Sequence, residues 1–192
     1  MTQTIQRRFR DGRTFLSSFN ERIDVQCPQC GADACVTEKS LTCAWCGSSV
    51  ERGPWFGPAK GTVNRACGHC GRRLSREILE HPPKRETFRL QCPGCHHRTR
   101  AAISWQAIGN AGYDPFFGAK LKLRRRCGRE LFWAYNRAHL QFVEDYVSAD
   151  LRERTAYINA SLTSRMPAWI KSAKNRQQVL KAIAGLRSKS QL

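Results

Sequence analysis

The chain has 192 residues, with 33 lysines and arginines against 15 aspartates and glutamates, which gives a net charge of +18. No run approaches the roughly 18 apolar residues of a membrane helix, so the sequence argues against a membrane-spanning protein. Hydrophobic residues make up 41%, enough for a small folded protein. A positive charge of this size favours polyanionic partners, and nucleic acid is the most common one.

Residues 1–21 are predicted to be a basic N-terminal arm. Arginines surround three phenylalanines in it: Arg7, Arg8, Arg10 and Arg13 around Phe9, Phe15 and Phe19. The segment is either a flexible tail or an arm that contacts nucleic acid, and its aromatic residues predict that part of it packs onto the first cysteine-rich module. Its first ten residues lack the apolar core of a secretory signal, so the cysteines are expected in a reducing, cytoplasmic compartment.

Four Cys-x-x-Cys pairs organise the chain: Cys27 and Cys30, Cys43 and Cys46, Cys67 and Cys70, Cys92 and Cys95. Twelve residues separate the first two pairs and twenty-one the last two, which is the spacing of two tandem four-cysteine zinc sites. Glycine follows three of the pairs and His96 follows the fourth, at the position where a ligand turn needs a positive φ. We therefore predict two structural Zn²⁺ ions bound by these eight thiolates.

Three alternatives remain open for these cysteines. They could form disulfides, act as a redox dithiol, or bind zinc in a cross-braced order in which the first pair joins the third and the second joins the fourth. A nearby histidine, His69, His96 or His97, could also replace a thiolate. Cys35 and Cys127 lie outside the pairs and are predicted to be structural, without a role as metal ligands.

The predicted fold class is small α+β, with two tandem zinc ribbons built on short β-hairpins followed by a C-terminal helical bundle. The predicted boundaries are a first ribbon at 22–52, a linker at 53–61, a second ribbon at 62–105, a connecting turn and strand at 106–130, and a basic helical domain at 131–192. Trp45, inside the second cysteine pair, is predicted to pack against the sheet, with base stacking as the alternative.

Periodic apolar residues predict the helices. Leu140, Val143, Val147 and Leu151 share one face of a helix expected over 137–154. Asn159 is expected to cap a short second helix that runs through Leu162. Pro167 fits the first turn of a third helix, and a last helix should begin at Asn175.

The cysteine pairs over residues 25–100 resemble the zinc ribbons of transcription factors and of the zinc-binding region of replication-restart helicases. Three later segments resemble small bacterial zinc-ribbon proteins of no established activity: 114–118, 131–136 and 164–176. The resemblance implies metal binding by the eight paired cysteines. It implies no helicase activity, because the chain has no phosphate-binding loop of the Gly-x-x-x-x-Gly-Lys-Ser/Thr type.

The favoured function is binding of nucleic acid, DNA rather than RNA, with weak sequence preference. The residues predicted to contact it are Arg72, Arg73, Arg124, Arg125, Arg126, Lys171, Lys174 and Arg176. The chain has no acidic residue after Glu153, so the last three are expected to lack an acidic partner nearby.

Two other classes of function would use different residues. A protein–protein adaptor would use exposed aromatic residues, predicted as Trp55, Phe56, Phe116 and Phe117. A nuclease would need clustered carboxylates for a catalytic metal. The acidic residues that come closest to such a cluster are Glu144, Asp145, Asp150 and Glu153, and a solvated helical face explains them better, so we do not expect an enzyme.

Overall fold

The computed structural model describes residues 6–109, 111–153 and 161–189, and it shows a small α+β protein with many short strands and few helices. The strands are β1 (Arg8–Arg10), β2 (Ile23–Gln26), β3 (Asp33–Val36), β4 (Ser40–Thr42), β5 (Ser49–Glu51), β6 (Ala59–Ala66), β7 (Arg73–Glu80), β8 (Thr87–Gln91), β9 (Arg98–Ala102), β10 (Ser104–Ala107), β11 (Arg124–Cys127), β12 (Glu130–Trp133) and β13 (Leu151–Glu153). The helices are α1 (Arg137–Ser148), α2 (Leu162–Arg165), α3 (Ala168–Lys171) and α4 (Arg176–Lys189), with short 3-10 turns at Leu16–Phe19 and Ala173–Asn175.

Residues 22–52, here the first cysteine unit, form the antiparallel sheet β2-β3-β4-β5. Alternate residues of β2 point inward, so Ile23 and Val25 are fully buried. Their core is completed by residues from far along the chain: Phe117, Ala119, Leu121 and Tyr135. Strand β2 also bonds outside the unit, because Asp24 N–H donates to the Tyr135 carbonyl and Gln26 N–H donates to that of Lys120.

Residues 59–107, here the second cysteine unit, contain the sheet β10-β6-β7 and the hairpin β8-β9. Their core comes from the unit itself: Val63, Cys67, Leu74, Leu90, Cys92, Ala101 and Ile103. Strand β6 passes close to its neighbours at Gly61, where the side chains of Ile78, Ile103 and Trp105 fill the space that a Cβ would need. This strand begins at Ala59, so it includes the last residues of the predicted linker.

The third core joins the helices to the β11-β12 hairpin. Its buried members include Leu123, Phe132, Leu140, Val147 and Ile183. The N-terminal arm also packs here, since the Phe9 ring meets those of Phe142 and Tyr146 edge-to-face at 5.3 Å.

The expectation that part of the arm packs onto the first cysteine unit is confirmed, because Leu16 and Phe19 contact the core of that unit. Only Leu16 and Phe19 of the arm contact both cores, within the part of the chain that is described. Strand β1 pairs in parallel with β13, and the buried Asp11 carboxylate accepts hydrogen bonds from the Ser161 and Thr163 hydroxyls.

The helix predicted over 137–154 is wrong beyond Ser148. Ala149 is extended, and Leu151 lies in β13 with 40% of its surface exposed. Two guanidinium groups satisfy carbonyls left free where α1 ends: Arg152 donates to Val147 O at 3.2 Å and Arg176 to Ala149 O at 2.8 Å. These half-buried arginines therefore stabilise an end of the helix where its apolar pattern alone would continue it.

The later helices differ in detail from the prediction. Ser161 caps α2 with its hydroxyl on the Ser164 N–H, while the predicted cap Asn159 lies outside the described residues. Pro167 is the N-cap of α3, one position before its first turn. None of the helices in the described ranges is both long and apolar enough to cross a membrane.

Candidate metal centres

Each cysteine unit gathers its four thiols into one group. Cys27, Cys30, Cys43 and Cys46 form one and Cys67, Cys70, Cys92 and Cys95 the other, with all Sγ atoms of a group within 4.8 Å of one another. Between the pairs, Sγ–Sγ distances are 3.7 and 3.8 Å in the first group and 3.5 and 3.6 Å in the second. Four sulfurs about 2.3 Å from a tetrahedral zinc lie about 3.8 Å apart, so each site could hold one Zn²⁺.

The grouping decides the pairing order, disulfide formation and histidine ligation, which the spacing left open. The first cysteine pair shares a site with the second pair, and the third shares a site with the fourth, so the cross-braced order is wrong. All ten cysteines are free, at sulfur separations far beyond the roughly 2.05 Å of a disulfide. Neither Cys35 nor Cys127 belongs to a group in the described ranges, and no histidine does.

The ligand turns have the backbone geometry that the glycines predict. Gly31, Gly47 and Gly71 have φ of 77°, 69° and 72°. His96 takes the same place with φ of 57°, a conformation that histidine adopts more often than most residues. In the second unit, Gly71 N–H closes its turn on the Cys67 carbonyl and His96 N–H on that of Cys92, both at 2.9 Å.

Backbone N–H groups in these turns lower the pKa of some of the thiols. The backbone N–H of Cys46, with that of Trp45, lowers the pKa of the Cys43 thiol to about 7. The N–H groups of Gly94 and Cys95 lower the pKa of Cys92 to about 6. The pKa of Cys30 and that of Cys95 are instead raised to about 12, because burial and the other thiols of each group outweigh their backbone hydrogen bonds. A zinc ligand must be deprotonated, so these thiols would lose their protons only as Zn²⁺ binds.

The two units differ in surface charge. Residues 22–52 carry three basic and four acidic side chains, whereas residues 59–107 carry ten basic and three acidic ones. Bound Zn²⁺ with four thiolates adds a further charge of about −2 to either unit. The first unit is therefore acidic and the second strongly basic, although their ligand chemistry is the same.

The predicted contact residues of the second unit are exposed. Arg73 donates to the Asn64 side chain at 3.2 Å, and the guanidinium of Arg72 lies over Gly94 in the opposite ligand turn. Those on β11 differ among themselves. Arg125 and Arg126 are exposed, whereas Arg124 is half-buried and lies over the ring of Tyr113, 5.4 Å from its centre.

The C-terminal set is mostly engaged within the protein. Arg176 pairs with Asp150 at 3.4 Å and binds the end of α1, which corrects the expectation that this region has no acidic partner. Lys171 donates to the Ser164 carbonyl at 3.1 Å. Of the three, Lys174 alone is exposed, whereas Lys171 and Arg176 are half-buried.

Sequence reasoning missed an arginine face on the β8-β9 hairpin. Arg89 lies directly opposite Arg100, and Gln91 lies opposite Arg98. Opposite residues and residues two apart share a face, so the three arginines project together, and all are exposed. Their alternation with Phe88, Leu90 and Ala101 is visible in the sequence, but the register between the strands is not.

The same face has no acidic residue to balance it. Within the described ranges, none of these three arginines forms an ion pair, whereas Lys60 pairs with Glu77 and Arg85 with Glu80 in the same unit. Like charges directly across a strand pair destabilise it by up to about 1 kcal/mol.

None of the protein-family models, curated proteins or solved structures compared with the chain matches it.

Proposed function

We propose that each cysteine unit is a zinc ribbon, that the helices after residue 131 form a basic bundle, and that the protein binds nucleic acid in the cytoplasm. DNA is the favoured target, with weak sequence preference, because phosphate contacts fix position and carry no sequence information. Zinc in this proposal is structural: it holds the hairpins that present basic side chains.

The observation that carries the proposal is the unpaired arginine face of Arg89, Arg98 and Arg100. Its charge repulsion weakens the hairpin, and an anionic ligand would relieve it. Phosphates spaced along a nucleic-acid strand are such a ligand. Exposed Arg72, Arg73, Arg76 and Lys84 extend the positive surface of the same unit.

A second contact surface is proposed where β11 meets α4. Arg125 lies against Gly185 of α4, and Arg126, Lys174 and Lys181 are exposed. This surface contains four exposed basic side chains, and it lies on elements separate from the second ribbon. It would add phosphate contacts without reading bases.

A protein–protein adaptor is the second candidate, and Trp45 favours it. Its side chain, predicted to pack on the sheet, is instead 83% exposed at the first ligand site. The aromatic residues predicted for this role fit it less well, because Phe117 is fully buried and Trp55, Phe56 and Phe116 are half-buried.

We propose no enzymatic activity. The acidic residues that come closest to a catalytic metal cluster have internal partners: Glu144 with Arg187, Asp150 with Arg176, and Glu153 with Arg8 and Arg10. Asp145 accepts a hydrogen bond from Gln141 at 2.7 Å. These pairings support a structural role for the carboxylates.

The test compares two triple variants that lose the same charge. In the first, Arg89, Arg98 and Arg100 are changed to Gln; in the second, Arg8, Arg10 and Arg52, each beside an acid, are changed to Gln. Binding to labelled duplex DNA is measured at several salt concentrations. Each lost phosphate contact lowers the log–log salt slope by roughly 0.9, so the first variant should lose up to about 2.7 and the second close to none.

Equal slope losses in the two variants would contradict the arginine face, since net charge alone would then explain binding. Absence of binding by the wild-type protein to duplex and to single-stranded RNA would contradict nucleic-acid binding and favour the adaptor. Unrelated duplex sequences should give similar slopes, and a strong difference among them would contradict the expected weak preference.

A further inference from the structure

The third core contains a cavity of about 330 Å³. It lies between the 3-10 turn Leu16–Phe19, strand β12 and helices α1, α2 and α3. Small-molecule sites in proteins occupy roughly 300 Å³ or more, and apolar cavities of about half this size bind benzene-sized ligands. The volume is therefore sufficient for a compact organic molecule.

The cavity wall is almost entirely apolar. Phe132, Val143, Met166 and Ile170 line it and are themselves buried within the protein core. A water molecule needs two to four polar partners, and such a wall offers few. An apolar ligand would recover dispersion contacts that the wall residues otherwise lack.

His139 lines the cavity as a neutral ring. Its Nδ1 accepts a hydrogen bond from the Tyr135 N–H at 3.2 Å, so the ring proton of the neutral form is on Nε2. Burial lowers the pKa of His139 to about 4. At neutral pH the histidine adds a polar atom to the wall but no charge.

Among the described residues that line the cavity, Arg165 alone carries a charge. Its backbone is fixed by α2, where its N–H donates to the Ser161 carbonyl at 3.1 Å. Its side chain is exposed and forms no hydrogen bond or ion pair within the described ranges. The planar guanidinium suits a carboxylate, which it can bind with two parallel hydrogen bonds.

We propose that this cavity binds a small apolar carboxylic acid, with its hydrocarbon body among Phe132, Met166 and Ile170 and its carboxylate on Arg165. The half-exposed Phe15 lines the cavity from the N-terminal arm and would cover part of the ligand. The ligand class follows from an apolar chamber with one cationic group at its edge. The site is independent of nucleic-acid binding.

The chain offers a site-specific reporter of occupancy. It has two methionines, Met1 and Met166, and Met166 lines the cavity. In protein labelled with ¹³C-methyl methionine, octanoate is titrated and the Met166 methyl resonance is followed by NMR. Octanamide, which has the same hydrocarbon chain without the charge, is the comparison ligand.

A saturable shift of the Met166 resonance with octanoate is the expected result. Arg165→Gln should weaken octanoate binding about tenfold, as expected for loss of a charge-assisted contact, and should leave octanamide binding unchanged. Arg76→Gln, an exposed arginine of the second unit, is the matched control and should bind octanoate like the wild type. Ile170→Phe should fill the chamber and abolish binding of both probes.

Two results would overturn the proposal. A Met166 resonance that does not move at millimolar octanoate would exclude the site. Equal affinity for octanoate in wild type and Arg165→Gln would exclude the carboxylate contact. Because the charge test uses an exposed residue, it does not depend on whether the Ile170 variant folds.

Discussion

The two cysteine units have the same ligands and the same ligand turns, yet they are attached to the protein in different ways. The first unit shares its core with Phe117, Leu121 and Tyr135 from the second half of the chain. The second unit closes its own core, and two of the seven buried members are metal ligands, Cys67 and Cys92. Cys27 and Cys43 of the first unit are buried as well, but they lie outside the described apolar core of that unit.

The electrostatic difference follows the same division. The first unit is slightly acidic and is built into the rest of the fold, whereas the second is basic and presents unpaired arginines. The same ligand motif thus specifies a metal site in both units, but the two folds depend on that site to different degrees. The first unit is stabilised by zinc and by packing against the rest of the chain. The second unit packs only within itself, so it depends more on zinc.

Removal of zinc should have the largest effect and should separate the units. Structural zinc contributes on the order of 10–16 kcal/mol at neutral pH, so chelation should unfold the second unit. Strand β2 should lose less of its amide protection, because the N–H groups of Asp24 and Gln26 donate to carbonyls outside the unit. Hydrogen exchange by mass spectrometry, before and after chelation, measures protection in β8 and β9 against β2.

The native protein should contain about two zinc ions, and the variants Cys35→Ser and Cys127→Ser should keep that number as controls. Cys43→Ser and Cys92→Ser should each lose one. Equal loss of amide protection in both units after chelation would contradict the proposed difference in support.

Phe117→Ala should destabilise the first unit from outside it. Phe117 has no exposed surface, and removal of a buried phenylalanine side chain costs roughly 3–5 kcal/mol. Leu79→Ala, at a position 73% exposed on the second unit, is the control and should change stability by less than about 0.5 kcal/mol. Urea unfolding gives both values, and a small cost for Phe117→Ala would show that the first unit does not depend on this contact.

Acid should weaken the junction between the first unit and the helices. His139 stacks on Phe19 at 4.9 Å, and burial lowers its pKa to about 4 from the 6.5 of an unfolded chain. The unfolded state therefore binds a proton that the folded state rejects. This contribution is complete above pH 6.5 and declines as pH falls, by up to about 3 kcal/mol near pH 4.

The comparison protein for this prediction is His139→Asn, which keeps an acceptor but does not titrate. Unfolding free energies at several pH values between 5 and 7 should fall more steeply for wild type than for the variant. Zinc thiolates protonate in both proteins, so only the difference between the slopes reports on His139. Parallel slopes would contradict the buried neutral histidine.

Trp45→Ala should have the smallest effect. A side chain 83% exposed contributes little packing, so stability should change by less than about 0.5 kcal/mol and two zinc ions should remain bound. The other four tryptophans are half-buried, so fluorescence emission should shift to shorter wavelength in the variant. A loss of more than about 1 kcal/mol would mean that Trp45 packs as the sequence suggested.

Local chemistry made the metal sites predictable. Cysteine spacing and the glycine after three of the pairs depend on a few consecutive residues, so the candidate ligands and the positive φ at Gly31, Gly47 and Gly71 could be read directly. The start of α1 at Arg137 was predictable for the same reason, because the Asn136 side chain three residues earlier accepts a hydrogen bond from the His139 N–H and caps the helix.

The tertiary structure decided the relations between distant segments. Leu151 continues the apolar period of α1, but guanidinium groups of Arg152 and Arg176 end the helix, and one of them comes from α4. Trp45 and Phe117 are both aromatic, but one is exposed and the other is buried because only the second meets the sheet of the first unit. The strand register that sets Arg89 opposite Arg100 is likewise a long-range fact. By itself the sequence determined which eight thiols are candidate metal ligands, since each Cys-x-x-Cys turn is short-range. Burial and pairing depend on which surfaces meet, and that was settled only when the chain folded.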